Sequence, residues 1–199
     1  MEVFLMPRRK VLYLLVFWAA LTLLPPAREV RAETKEKYIR TIVNYAPPEV
    51  TLVNQDGVKV KFNKLLNSKK VVMVDFIFTT CTTICPVLSA GFANFQKRIG
   101  PGSMDVHLVS ISIDPENDTP KRLREYLKRY DAKPGWDFLT GSKADIEKVV
   151  KALDAYTPAK MSHLPLALLY APTNNRWVRI YGLIGTSDLM AEYEKALRL

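Results

Sequence analysis

The sequence predicts an α/β fold with a mixed central sheet flanked by helices. Three observations carry this. Strand-like and helix-like segments alternate through most of the chain, which demands crossover connections and a largely parallel centre. VVMVDFIF, Val71–Phe78, has the length and composition of a buried central strand. Near the end, two strand patterns flank Thr173-Asn174-Asn175, the signature of an antiparallel hairpin.

The elements follow in order. Residues 1–32 read as a leader. Arg8, Arg9 and Lys10 precede the apolar run Val11–Leu24, Pro25 and Pro26 end it, and Val30-Arg31-Ala32 places small residues before a cut. The run falls short of the ~20 residues needed to cross a bilayer core. Cleavage after Ala32 is therefore favoured over retention of residues 11–24 as an inner-membrane tether. Both readings export the rest of the chain to the periplasm. Residues 33–48 form a polar lead-in, and residues 49–199 the folded domain.

Within that domain, TLVNQDGVKVKF, Thr51–Phe62, alternates on both sides of Gln55-Asp56-Gly57, a hairpin signal. A loop holding both cysteines follows Val71–Phe78 directly. Pro86–Ile99 reads as a helix, with Pro86 in its first turn and Gly100 just past its end. Val106–Ile113 is a strand. Asp118-Thr119-Pro120 opens a helix that runs through Tyr130. Trp136–Leu139 is a short strand, and Ser142 with Asp145 forms a capping box for a helix to Ala152. Leu166–Tyr170 and Trp177–Tyr181 make the closing hairpin, and Ser187–Leu197 the last helix. This order is that of a thioredoxin-like sheet. It sets the cysteine loop at the carboxyl end of a central strand, where open α/β sheets keep their sites.

The net charge is +9. The leader carries +3 of it, and the remaining basic residues are scattered rather than clustered. They read as a solvated surface compatible with an acidic protein partner. Nucleic acid is not expected as a partner of an exported protein.

Cys81 and Cys85 are the only cysteines. Two are too few for a disulfide-stapled scaffold, and a bridge across so short a loop would constrain the unfolded chain little. A redox pair and a metal clamp remain the stronger readings. Cys85 lies at the start of the Pro86 helix, where unpaired N–H groups and the helix dipole favour a thiolate. Dithiol oxidoreductases usually space their cysteines C-x-x-C. The extra residue here lets both sulfurs point at a shared centre, and two thiolates suit Cu(I) and are acceptable to zinc.

A third ligand is then needed. His163 stands in the loop before a late strand, which in a thioredoxin-like fold packs against the cysteine loop, with Leu164-Pro165 as the candidate cis bond. His107 reads as an ordinary strand residue, Met161 as a packing or loop methionine rather than a thioether ligand, and Tyr156 and the tryptophans as core or surface aromatics. Asp118 reads as structural. Asp114 could orient the site or cap a turn.

Taken together, strand–C-x-x-x-C-P, the segment SIDPENDTP at Ser112–Pro120 and a histidine just before a late strand resemble the Sco/SenC family. The resemblance covers about Val50–Leu197. It implies an exported, thioredoxin-like protein that binds copper through Cys81, Cys85 and His163. It implies a metallochaperone that donates copper to, or reduces the thiols of, the dinuclear copper site of cytochrome c oxidase. The implied partners are that copper-site subunit or another exported cuproprotein, and thiol–disulfide partners. Two departures stand out. Thr82, Thr83 and Ile84 fill the space between the cysteines, where many members carry a Pro-Asp insert, and Leu164-Pro165 follows His163. They keep open a second reading, a periplasmic thiol–disulfide oxidoreductase with Cys81 and Cys85 as its redox pair and little or no copper binding.

Overall fold

The computed structural model describes residues 38–100 and 105–198. The expected leader lies outside them, and among the described residues no helix is long and apolar enough to cross a membrane.

In chain order the elements are β1 (Ile39–Val43), β2 (Thr51–Asn54), β3 (Lys59–Lys61), α1 (Phe62–Leu66), β4 (Val71–Ile77), α2 (Ile84–Ile99), β5 (Val106–Ser112), α3 (Pro120–Arg129), β6 (Trp136–Thr140), α4 (Lys143–Ala152), β7 (Leu166–Ala171), β8 (Arg176–Tyr181) and α5 (Thr186–Ala196). A 3-10 turn, Lys160–Ser162, precedes β7. The strands form one sheet in the order β1-β8-β7-β4-β5-β6-β2-β3. β4, β5 and β6 are parallel. β7, β8 and β1 continue antiparallel on one side, and β2 and β3 on the other.

Every residue of β4 is buried, as a strand covered on both faces requires. The pleat divides its side chains. Val71, Met73 and Ile77 join Phe92 and Phe95 of α2, Tyr126 of α3 and Tyr193 of α5. Val72, Val74 and Phe76 join Phe62 and Leu65 of α1 and Ile146 and Val149 of α4. The cysteine loop leaves the carboxyl end of this doubly covered strand, so its root is held from both sides.

Local chemistry sets the helix starts. The Thr119 hydroxyl accepts the Arg122 N–H, and Pro120 opens α3. The Ser142 hydroxyl accepts the Asp145 N–H while donating to the Asp145 carboxylate, a reciprocal cap at α4.

The structure departs from the sequence reading at three elements. The lead-in contains β1, which pairs with β8 from Ile39↔Tyr181 to Val43↔Trp177 and is tied down by Arg40 Nε to Glu192 at 2.6 Å. The Thr51–Phe62 hairpin ends at Lys61, because Phe62 turns inward to start α1 and is fully buried. Its turn rests on Gly57, whose φ of +80° favours glycine. Finally, α2 begins at Ile84, two residues before Pro86. Proline fits within a first turn because the N–H groups there have no intrahelical acceptor to lose.

Candidate metal centre

Two elements and a turn converge at the end of β4. Cys81 lies in the loop that follows it, Cys85 in the first turn of α2, and His163 directly after the 3-10 turn. One donor atom from each lies within 4.8 Å of the other two, and all three residues are buried. Both cysteines are free thiols. Cys85 Sγ is 3.3 Å from His163 Nε2.

The amino end of α2 is not capped by its N-cap residue, Thr83. Instead Cys81 Sγ accepts the Cys85 backbone N–H at 3.4 Å. The stabilisation that the sequence reading assigned to Cys85 therefore falls on Cys81. Burial works to raise the Cys81 thiol, but hydrogen bonds from the Cys85 thiol, from the backbones of Cys85 and Thr83 and from the Thr83 hydroxyl outweigh it and hold Cys81 below the ordinary thiol range. Cys85 goes the other way. Burial, then donation of its own proton to the Cys81 sulfur, pushes it up.

His163 is oriented by its other nitrogen. Nδ1 lies 3.0 Å from the Lys160 carbonyl. A carbonyl only accepts, so in the neutral ring Nδ1 carries the proton and Nε2 presents a lone pair toward the sulfurs. Burial lowers the imidazole pKa, with the Lys160 carbonyl opposing it, and this favours the neutral ring. Phe78 packs edge-on against the ring at 5.3 Å. The Leu164–Pro165 bond is trans, against the expectation of a cis candidate. His163 has extended backbone, φ −65° and ψ 147°, the conformation that a residue two before proline can hold as the chain runs straight into β7. Pro165 then accepts the Gly182 N–H through its carbonyl.

Asp114 acts one step further out. It is buried, accepts from Asn117 Nδ2 at 3.0 Å and pairs with Lys160 Nζ at 2.5 Å. Lys160 thus joins the loop after β5 to the turn that holds His163. Sequence reasoning missed Lys160, although its place three residues before His163 is the spacing of a turn that returns a carbonyl to a ring. Asp118 is fully buried and structural. It accepts from the Thr79 backbone and hydroxyl and from Ser112 Oγ. The other candidates lie apart from the centre. His107 pairs with Asp137 at 2.8 Å, Met161 is 68% exposed and Tyr156 is 48% exposed.

Two thiols that ionise and one neutral imidazole, converging in a buried pocket, are a soft donor set that fits copper. A model of the SCO1/SenC family matches residues 45–196. The chain is 41% identical over 112 residues to the SCO1 protein homolog of Bacillus subtilis, an alignment covering 55% of this chain and 57% of that protein. It spans about half the length of the curated relatives it matches. Among solved structures, BsSco, described as a member of the Sco family of cytochrome c oxidase assembly proteins with a disulfide switch, superposes with a TM-score of 0.67 at 32% identity, covering 81% of this chain and 98% of that one. Arabidopsis thaliana ScoI, solved with copper bound, superposes with a TM-score of 0.64 at 30% identity, covering 78% and 99%. The sheet they share is the thioredoxin-like one expected from the sequence. With the family match extending over β2 to β8, the cysteine loop and the histidine turn, this chain belongs to the SCO1/SenC family.

Proposed function

We propose that this chain is an exported copper-binding metallochaperone that serves the dinuclear copper site of cytochrome c oxidase, by delivering copper to it or by keeping its thiols reduced. The observation that carries the reading is the convergence of Cys81, Cys85 and His163 within 4.8 Å. The leader predicted over 1–32 supports export, with residues 11–24 as the tether if it is not cleaved.

In this reading Cys81 and Cys85 bind as thiolates and His163 through Nε2. Copper held there is cargo, available for transfer to a site of similar donors. The chain's own residues keep the imidazole neutral and aimed, and keep water away from the Cys85 sulfur. Oxidation of the pair to a disulfide withdraws both sulfur ligands. For the metal-free pair, two thiols and a partner disulfide become one disulfide and two partner thiols, with two electrons and two protons passing to the partner, so redox state gates copper binding. Val87, Met161 and Leu164, each within two residues of a donor in sequence, are exposed. Exposed apolar side chains on the segments that carry the donors suit docking of a protein partner.

A second reading, a thiol–disulfide oxidoreductase, is favoured by the asymmetry of the pair. Cys81 is the better thiolate and Cys85 the more buried thiol. That divides attack on a partner disulfide from resolution of the mixed disulfide.

One mixing experiment separates the two. The copper-loaded protein is added to the metal-free copper domain of the oxidase subunit. Copper leaving the chain as the absorption of the dinuclear centre grows supports the chaperone reading. Reduction of the domain's disulfide without copper transfer moves the assignment to the oxidoreductase. Neither event overturns both.

A further inference from the structure

His163 sits at the end of a turn that has little of its own to hold it. The 3-10 turn Lys160–Ser162 has no buried residue and no side-chain cap, and a single 3-10 turn is a weak element by itself. Met161 and Ser162 are exposed. Lys160 differs from both. Its Nζ pairs with Asp114 Oδ2 at 2.5 Å and lies 5.5 Å from the centre of the Phe78 ring, which packs in turn against the His163 ring. Its backbone carbonyl accepts from His163 Nδ1. One residue thus orients the imidazole through its main chain and anchors the turn through its side chain.

The anchor point is itself fixed. Asp114 is buried. Its N–H donates to Ser112 Oγ, its carbonyl accepts from the Asn117 and Asp118 N–H groups, and its carboxylate accepts from Asn117 Nδ2. Ser112 Oγ donates to Asp118, and Asp118 accepts from the N–H and hydroxyl of Thr79, at the root of the cysteine loop. A continuous run of bonds therefore leads from Thr79 through Asp118, Ser112 and Asp114 to Lys160. It joins the segment that carries the sulfurs to the segment that carries the imidazole. Exposed ion pairs contribute little, but this carboxylate is buried and already in place when the lysine meets it.

We propose that Lys160 is a positioning residue that sets which copper ion the centre keeps: its ion pair with Asp114 holds the turn so that His163 Nε2 stays beside the sulfurs, and this lets the centre retain Cu(II) as well as Cu(I). The proposal rests on the copper reading above and deepens it. Two thiolates alone suit Cu(I), whereas Cu(II) favours a nitrogen donor beside them. Slackening the turn therefore weakens Cu(II) first.

Lys160→Met keeps the backbone carbonyl and removes the ammonium. Asp114→Asn removes the opposite charge and keeps an acceptor for Asn117. Competition titration of the reduced proteins is expected to show Cu(II) affinity about tenfold lower in each variant, with a smaller loss for Cu(I). The double variant is expected to lose no more than either single one, because all three break the same link. It also leaves no buried carboxylate without its lysine, so it keeps the test readable if Lys160→Met folds poorly. Equal losses for the two ions, additive losses or no loss overturn the proposal. If the wild type itself binds neither ion, the copper reading fails and the selectivity with it.

The metal-free protein gives a second readout. The chain has two histidines, and His107, paired with Asp137, serves as internal reference in the nitrogen-15 spectrum of the imidazoles. At about pH 8, where an imidazole is neutral, wild-type His163 is expected in the Nδ1–H form. In Lys160→Met its signals are expected to move toward the average of the two tautomers. A lysine that only stabilised the fold would leave them where they are, and unmoved His163 signals overturn the proposal.

Discussion

His163 is held through one nitrogen so that the other faces the sulfurs. The Lys160 carbonyl takes Nδ1, and burial keeps the ring from charging. Replacing His163 by alanine removes the nitrogen donor and leaves the two sulfurs, which alone are a fair site for Cu(I). Cu(II) affinity is expected to fall at least about a hundredfold and Cu(I) affinity by less than about tenfold, read by competition titration. Equal Cu(II) affinity in mutant and parent would sink the role of His163. Asp75 makes a second residue-scale prediction. Its carboxyl stands at about 7 when folded against an ordinary 3.8. Between those values the folded chain holds a proton that the unfolded chain has released, so stability falls as pH rises from about 4 to about 7. The loss is on the order of 4 kcal/mol and levels off above that window. Urea midpoints across this range are expected to show this component of the slope in the wild type and to lack it in Asp75→Asn. Its persistence in the variant would assign the slope to other groups. Asp75 was visible in the sequence as the lone acid of VVMVDFIF, but a pattern read for burial passes over it, because only the three-dimensional neighbours reveal that it has no partner.

At the scale of elements, the centre depends on how the loop after β4 is anchored. Asp118, just ahead of α3, binds the Thr79 backbone and hydroxyl and Ser112 at the end of β5. One carboxylate thus ties together the exits of two parallel strands and the root of the cysteine loop. Asp118→Ala strands these donors and is expected to cost on the order of 3 kcal/mol, measured by urea unfolding. It is also expected to speed alkylation of Cys81, whose loop loses its anchor. Wild-type stability and alkylation rate would show that the loop is held elsewhere. Elements with local signals were legible in the sequence. The caps at Thr119 and Ser142, the turn at Gly57 and the apolar run of β4 all write their structure into adjacent residues. β1 was not legible, because Ile39–Val43 is mostly exposed and becomes a strand only through pairing with β8. The start of α2 was misplaced because its first turn is satisfied by a sulfur rather than by a capping side chain.

Across the whole molecule, the sheet brings together residues far apart in the chain. β4 and β7 are neighbours, so the loop after one meets the turn before the other, and Cys85 meets His163 although 78 residues separate them. That meeting could be anticipated from strand order, since a thioredoxin-like sheet sets these two loops side by side. The supporting pair Asp114–Lys160 could not, because it depends on side-chain reach between two loops. The central claim is that the meeting makes a copper site. Its most direct test is anaerobic titration of the fully reduced protein with Cu(I) and Cu(II), following stoichiometry, thiolate-to-copper absorption and the electron paramagnetic resonance spectrum. The account predicts one tight equivalent with sulfur and nitrogen couplings, lost on replacing Cys81 or Cys85 by serine. Two intact, reactive thiols that leave copper with a competing chelator would contradict it.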